Sequence, residues 1–322
     1  MRQTTPLVRA IRIEEFGGPE VMELVELPDP EPGDGEVVVD VVRCGVNFAD
    51  THVTRNDYLA EQSLPMIPGG EVSGRTPDGR RVAAILAGGG YASKVAVPEG
   101  WLVPVPDPVS DDQAASLLLQ GLTAHALVHR CARLASGETV VVEAAAGGTG
   151  SLAVQIAKRA GAQVIALASS EEKRALATRL GADATVDSRA EDLGEAILAA
   201  NEGRQVDAVL QMSGGSAFEA QLRILAPFGR MVAFGIASRE ENSVRTGHLL
   251  RHSRSVIGFW LMHLIAHHEE VGRMIGELLG AVAAGELEVV AGGVYPLSEA
   301  RTAHEEIAAR RTTGKLLLDP TR

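Results

Sequence analysis

The stretch VVVEAAAGGTGSLAVQIAKRAGAQVIALASS, residues 140–170, decides the fold of this chain. An apolar run ends in small residues. An amphipathic segment follows, and then a second apolar run. That order predicts a strand, a tight turn, a helix closed by Gly161, and a second strand. The dinucleotide fingerprint asks for G-x-G-x-x-G at such a strand-to-helix turn. Here it is Ala145-Ala146-Gly147-Gly148-Thr149-Gly150, with Ala in the first slot. Gly147 lets the backbone approach a pyrophosphate, and Gly150 lets the helix pack close on the strand. The helix start offers free N–H groups and the positive end of its dipole. Glycine-rich turns also occur as plain structural turns. Set inside a βαβ unit, this one is read as a dinucleotide site.

The second strand bears on which dinucleotide. A unit that takes NAD carries Asp or Glu about 20 residues past the glycines, on the ribose 2′-OH. Here the strand ends in Ser169-Ser170, followed by Glu171, Glu172, Lys173 and Arg174. Hydroxyls and a lysine suit a 2′-phosphate, which a carboxylate would repel. The expectation is therefore NADPH, with Glu171 as the one competing carboxylate.

Outward from this centre the rhythm continues. From about 122 to 261, strands and helices alternate: "SEEKRALATRLG", "ATVD", "LGEAILAANEG", "VDAVLQM", "SAFEAQLRIL", "GRMVAFG" and "SVIGFWL". Such alternation predicts a doubly wound parallel sheet of the α/β class. Residues 1 to about 121 read differently, as short strands broken by Gly and Pro, among them "EVVVDVVRCGV", "GRRVAAIL" and "YASKVAVPEGWLVPVP". The tail holds a long helix over "HEEVGRMIGELLGAVAAG", then "GGVYPLSEA", a short helix and the strand "GKLLLDP".

Composition excludes several classes. A formal charge of −12 argues against an electrostatic nucleic-acid binder. There is no run of ~18 uncharged apolar residues, so no membrane helix is expected. The start, "MRQTTPLVRAIRIEEF", breaks its apolar residues with charges and lacks a signal-peptide core. The two cysteines, Cys44 and Cys131, fit a reducing cytoplasm and give no four-cysteine zinc lobe.

Six stretches together carry a family resemblance: "GVNFAD" (45–50), "LPMIPGGEVSG" (64–74), "GLTAHALV" (121–128), "EAAAGGTGSLAVQIAKRAGAQVIALASSEEK" (143–173), "LGAD" (180–183) and "TTGKLLL" (312–318). With them the chain resembles the medium-chain dehydrogenase/reductases. Within that superfamily it resembles the zinc-free quinone oxidoreductases of the zeta-crystallin type. The resemblance implies a GroES-like β-rich catalytic domain from residues 1–121 and 262–322. A Rossmann domain, 122–261, interrupts it. Zinc-dependent relatives place a Cys where this chain has Asn47 and a His where it has Gly70. Their third ligand falls within "LLLQG" (117–121), which offers none. No metal site is expected. Without a Lewis acid, the acceptor must already be electrophilic. Quinones and α,β-unsaturated carbonyls qualify, because added hydride gives a delocalised quinol or enolate.

The resemblance also implies contacts. Asn47 would approach the nicotinamide ribose, and Thr123 would lie under the nicotinamide. Gly147, Gly148, Thr149 and Gly150 form the pyrophosphate turn. Ser169, Ser170 and Lys173 grip the 2′-phosphate. Relatives have a Tyr after the third strand where this chain has Ser188, and Arg189 stands in for it. Ser213, Phe234 and Gly235 line the carboxyl edge of the sheet. Phe259, Trp260 and Leu261 border the nicotinamide, and Lys315 lies near the cleft. Tyr58 and His52 are the candidate proton donors, with water as the alternative; Tyr91 is expected to pack a β-turn. The pairs His248/His252 and His263/His267 are read as solvated or interface residues. The last strand of the nucleotide-binding sheet is apolar, an aggregation liability if exposed, and the resemblance implies that it pairs across a two-fold axis in a homodimer. Two other functions share these features: an enoyl-thioester (enoyl-CoA or acyl-carrier) reductase, and an NADPH-binding sensor or partner protein without turnover.

Overall fold

The Gly- and Pro-broken runs at the start of the chain fold as short strands: β1 (Leu7–Arg12), β2 (Glu23–Pro28), β3 (Glu36–Val46), β4 (Glu71–Arg75), β5 (Arg81–Ile85), β6 (Lys94–Pro98) and β7 (Val103–Pro104). This is a computed structural model, and it describes residues 7–322. The first six residues, part of the stretch read above as lacking a signal-peptide core, lie outside it. One helical turn, α1 (Asp50–Val53), follows β3 after Asn47, Phe48 and Ala49. β1 and β2 pair antiparallel on their own. β3 pairs antiparallel with both β4 and β6, and its buried residues Val39, Val41, Cys44 and Val46 enter the core of this part.

The next helix, α2 (Asp111–His125), runs on as a π-helical turn over Ala126–Cys131. Then come β8 (Thr139–Val142), α3 (Gly148–Arg159), β9 (Gln163–Ala168), α4 (Glu171–Arg179), β10 (Ala184–Asp187), α5 (Leu193–Ala200), β11 (Val206–Gln211), α6 (Gly215–Arg223), β12 (Leu225–Ala233), α7 (Thr246–His252) and β13 (Ser255–Gly258). The sheet order is β10-β9-β8-β11-β12-β13, with every pairing parallel. Counting strands from the glycine turn, this is the 3-2-1-4-5-6 order of a dinucleotide fold. Its helix boundaries follow local chemistry. Ser170 caps α4 by accepting from Lys173 N, and Asp192 caps α5 by accepting from Glu195 N. Gly161 and Gly181 end their helices at φ +83 and +109, values that side chains avoid.

The run "SVIGFWL" stays extended only to Gly258. Phe259 N still donates to Ala233 O, but Trp260 is the N-cap of a short helix, α8 (Leu261–Ile265). After it come α9 (His268–Ala283), β14 (Ala291–Pro296), α10 (Ala300–Ala308) and β15 (Lys315–Asp319). β15 lies parallel to β14 and antiparallel to β3, giving the order β14-β15-β3-β4-β5-β7.

The chain divides into two compact units. One, β-rich, is the chain through Leu119 together with Leu279–Arg322. The other, the nucleotide-fold unit, is Gln120–Leu278. Residues 262–278 thus group with the nucleotide-fold unit, beyond the boundary at 261 that the resemblance implies. Side-chain ties explain this: Glu270 pairs with Arg130, and Glu277 accepts from His125 at 3.2 Å.

Candidate functional site

In the nucleotide-fold unit the site begins where β8 ends. Gly147 is the N-cap of α3 and has no side chain with which to cap the first amides of the helix. An added Cβ at Gly150 would stand 2.2 Å from Ala144 O and 2.7 Å from Ala144 C, so glycine is required there. At Gly147 the nearest atom to such a Cβ is Ala144 O at 3.2 Å. The two glycines therefore do different work. Gly150 lets the helix seat on the turn, and Gly147 keeps the approach to the helix end clear. This cradle fits a pyrophosphate.

At the end of β9, Ser169 and Ser170 are half-buried and Lys173 stands on the first turn of α4. Arg189 reaches back from beyond β10 to donate to the Ser169 carbonyl. Burial lowers the Lys173 pKa; Glu172 raises it and the positive charge of Arg189 lowers it. Two cations are thus held close to a pair of serine hydroxyls. Arg174 donates to Ala168 O at 3.3 Å and pairs with Asp187. Glu171, the competing carboxylate, is exposed. Asp187 also holds Arg189, accepting from its backbone N at 2.9 Å and pairing with its Nε at 3.5 Å. With Lys173 beside Arg189, this pair of cations fits a dianionic phosphate.

Ser213 is placed at the carboxyl end of β11, but its hydroxyl faces inward. It donates to Glu143, which also accepts from Met212 N at 2.7 Å, Ser213 N at 2.8 Å and Gln221 Nε2 at 2.6 Å. Glu143 is 5% exposed. A buried carboxylate with this many donors is fully engaged. It ties β8, just before the glycine turn, to the loop after β11. The sequence reading passed over it. Phe234 and Gly235 follow β12, and a Cβ at Gly235 would meet Met212 O at 2.8 Å. Thr123 is buried in α2. Phe259 and Trp260 are half-buried and Leu261 is buried.

In the β-rich unit, Asn47 follows β3 and is 3% exposed. Its Nδ2 donates to Glu71 Oε1 at 3.0 Å, and its Oδ1 accepts from Lys315 Nζ at 2.6 Å. Lys315 and Glu71 form an ion pair with side chains 1% and 0% exposed. The Lys315 side chain, expected near the cleft, is buried, with its ammonium engaged by Asn47 and Glu71. Asn47 N donates to Asp50 Oδ2 at 2.9 Å, and Asp50 Oδ2 also accepts from Tyr91 OH at 2.8 Å. Tyr91 meets His304 Nε2 at 3.0 Å. Burial pushes the Asp50 carboxyl up to about 6 and pulls His304 down to about 3. Tyr91 is therefore no mere turn filler: it bridges two buried titratable groups.

The two proton-donor candidates separate. His52 is 2% exposed and its Nδ1 is bonded to Asp57 Oδ1 at 2.8 Å. Tyr58 is half-buried, with its ring 5.6 Å from that of His52. Burial, followed by the Asp50 charge, raises the Tyr58 pKa. Its phenol thus stays protonated near neutrality and keeps a proton to give. Among the described residues, no group of three or more His, Cys, Asp or Glu could hold a metal ion. The His248 and His252 rings lie 4.8 Å apart, tilted by 49°, and His263 lies edge-on to Trp260 at 5.1 Å. Nor, among the described residues, is any helix long and apolar enough to cross a membrane.

Known proteins agree with this architecture. Residues 33–107 match the alcohol dehydrogenase GroES-like domain, and residues 148–279 match the zinc-binding dehydrogenase domain. A quinone oxidoreductase of Pseudomonas aeruginosa is 34% identical over 98% of this chain and 100% of its own length. The quinone oxidoreductase of Thermus thermophilus, solved alone and with NADPH, superposes with a TM-score of 0.88. It is 38% identical over 97% of this chain and 99% of that one. The Escherichia coli enzyme complexed with NADPH gives a TM-score of 0.91 at 32% identity, over 97% and 100%. With that full-length match, and with Asn47 and Gly70 where zinc-dependent members carry ligands, the chain belongs to the zinc-free quinone oxidoreductases of the medium-chain dehydrogenase/reductase superfamily.

Proposed function

We propose that this protein is an NADPH-dependent reductase of quinones or α,β-unsaturated carbonyls, working without a metal. The observation that carries the reading is the placement of Lys173 and Arg189 at the Ser169-Ser170 turn, where a Rossmann unit meets the ribose 2′ position. NADPH, when bound, supplies a hydride. The chain's own residues do the rest. Gly147 and the start of α3 hold the pyrophosphate, aided by Gly148, Thr149 and Gly150. Ser169, Ser170, Lys173 and Arg189 hold the 2′-phosphate. Asn47 and Thr123 orient the nicotinamide end. Phe234, Gly235, Phe259, Trp260 and Leu261 exclude water there. Tyr58 delivers the proton that the quinol or enolate oxygen requires. Asn47, Gly70 and the segment 117–121 offer no Cys, His or carboxylate to lower the pKa of an alcohol, so simple alcohols are not substrates.

The protein acts in a reducing cytoplasm as a homodimer. β13 is an edge of the parallel sheet, and nearby Phe228 and Leu250 are 77% and 81% exposed, surface that a second copy would cover. The deciding experiment follows NADPH consumption across quinones, enones and enoyl-CoA esters, with deuterium at C4 of the cofactor for an enone. Deuterium at the β-carbon is expected. Label at the carbonyl carbon, giving an allylic alcohol, overturns the reading. Preference for the enoyl-CoA esters would move the assignment to a thioester reductase.

A further inference from the structure

Asn47, Glu71 and Lys315 form a closed ring of hydrogen bonds at one end of three neighbouring strands. Asn47 follows β3, Glu71 opens β4 and Lys315 opens β15, and the sheet order places these strands side by side as β15-β3-β4. Lys315 Nζ donates to Asn47 Oδ1 and to Glu71 Oε1, and Asn47 Nδ2 donates to the same Glu71 oxygen. The other oxygen of Glu71 accepts from Leu119 N at 3.0 Å. All three side chains are buried. Glycine at position 45 makes the seat possible, since a Cβ there would meet Glu71 Cγ at 2.5 Å and Ala115 O at 2.8 Å.

The chemistry of the ring has a direction. An ammonium only donates and a carboxylate only accepts. Turning the Asn47 amide over would set its NH2 against the ammonium and its carbonyl against the carboxylate. The amide therefore has one orientation. The peptide unit is held too, through Asn47 N and Asp50. Stability is a weak reason for such a ring, because buried ion pairs barely repay their desolvation and apolar replacements often equal them.

We propose that Glu71 and Lys315 are positioning residues of the reductase. Their buried ion pair locks the Asn47 amide in a single orientation for its place beside the nicotinamide ribose. This rests on the role given to Asn47 above. Lys315 then acts through Asn47 rather than by touching the cofactor.

The test exchanges the polarity of the ring. Asn47→Asp with Glu71→Gln keeps one carboxylate and one amide against Lys315 and conserves the buried charge, but reverses what position 47 presents. A second variant, Lys315→Met with Glu71→Gln, removes both charges and leaves Asn47 in place but unlocked. Melting temperature, NADPH affinity by fluorescence titration, and kcat and KM for the best acceptor are measured for each. Both variants are expected to melt close to the wild type. The exchange variant should lose ~10-fold or more in kcat at saturating NADPH or in NADPH affinity, and the unlocked variant should lose ~5-fold. The proposal is overturned if the exchange variant keeps both quantities within ~2-fold of the wild type. An exchange variant that fails to fold overturns it as well, since the ring would then be a folding element whose charge order alone matters. A wild type that turns over no acceptor sinks the function reading, while NADPH affinity still reports on the ring.

Discussion

Gly147 and Gly150 lie three residues apart in one turn, yet replacing each with Ala should damage different properties. At Gly150 the new methyl overlaps only backbone: Ala144 O at 2.2 Å, Ala144 C at 2.7 Å and Ala145 Cα at 2.9 Å. No side chain can swing away, so the turn or α3 must shift, and overpacking of this kind costs about 1–3 kcal/mol. At Gly147, φ is −82°, which any residue adopts, and the closest atom is 3.2 Å away. Ala there costs the fold little, and the lower entropy of the unfolded chain offsets part of it. The methyl does, however, occupy the side from which a pyrophosphate approaches. A ~10-fold weaker NADPH affinity corresponds to ~1.4 kcal/mol. The assay is thermal melting with and without cofactor, because ligand at 100 times its Kd stabilises by ~2.7 kcal/mol. Gly150→Ala should melt lower without ligand. Gly147→Ala should melt like the wild type alone but gain less from NADPH. Equal melts for Gly150→Ala and wild type, or a full NADPH shift in Gly147→Ala, would refute the division of labour.

Lys173→Ala should weaken NADPH by ~10-fold in titration and leave NADH unchanged, since only the 2′-phosphate meets it. Tyr58→Phe should slow turnover by ~10²-fold if the phenol is the acid, and an unchanged rate would leave the proton to His52 or water. Chelator should leave activity intact and elemental analysis should find no stoichiometric zinc; loss of both metal and activity together would contradict this. The buried pair His304 and Asp50 gives a signed pH effect. The folded chain resists protonating His304 until about pH 3, whereas the unfolded chain protonates it below 6.5, so this residue erodes stability as pH falls. Asp50 acts oppositely: folded, it holds a proton below about pH 6 that the unfolded chain releases down to 3.8, so folding gains as pH falls through 6. In His304→Phe only the Asp50 effect remains. Urea unfolding at pH 6.5 and at about pH 4 should therefore show a smaller loss, or a gain, on acidification relative to wild type. A steeper loss in the variant would show that the signs are wrong.

What the sequence revealed was what is local. The alternation of strand and helix from 139 onward, the Ser170 cap and the closing glycines at 161 and 181 are all written within a few residues of where they act. The same holds for the glycine turn and the Ser169-Ser170 pair. The buried polar groups were hidden because their partners are far apart in the chain. Tyr91 finds Asp50 across 41 residues and His304 across 213, and Glu71 finds Lys315 across 244. No periodicity encodes such pairings. Glu143 reads as one more polar residue beside a glycine turn, and its donors come from the loop after β11 and from α6, about 70 residues on. The resemblance placed Lys315 near the cleft without saying what its charge would meet. Phe259 to Leu261 misled because an apolar run is equally good strand and helix, and only Trp260 as N-cap decides.

The order of synthesis adds a constraint of its own. β15 is last of the strands in chain order, yet it sits inside its sheet, between β14 and β3. The strands made first thus leave the ribosome with an open flank on β3, and close it only after the nucleotide-fold unit has emerged in between. Meanwhile Glu71 and Asn47 wait without the ammonium they are built around. The contiguous unit, 120–278, has no such wait and can fold while the rest is being made. A nascent chain stalled before Lys315 would therefore combine a finished nucleotide fold with an uncovered β3 edge and a Glu71 carboxylate without its ammonium, a species for chaperones to hold until the final strand arrives.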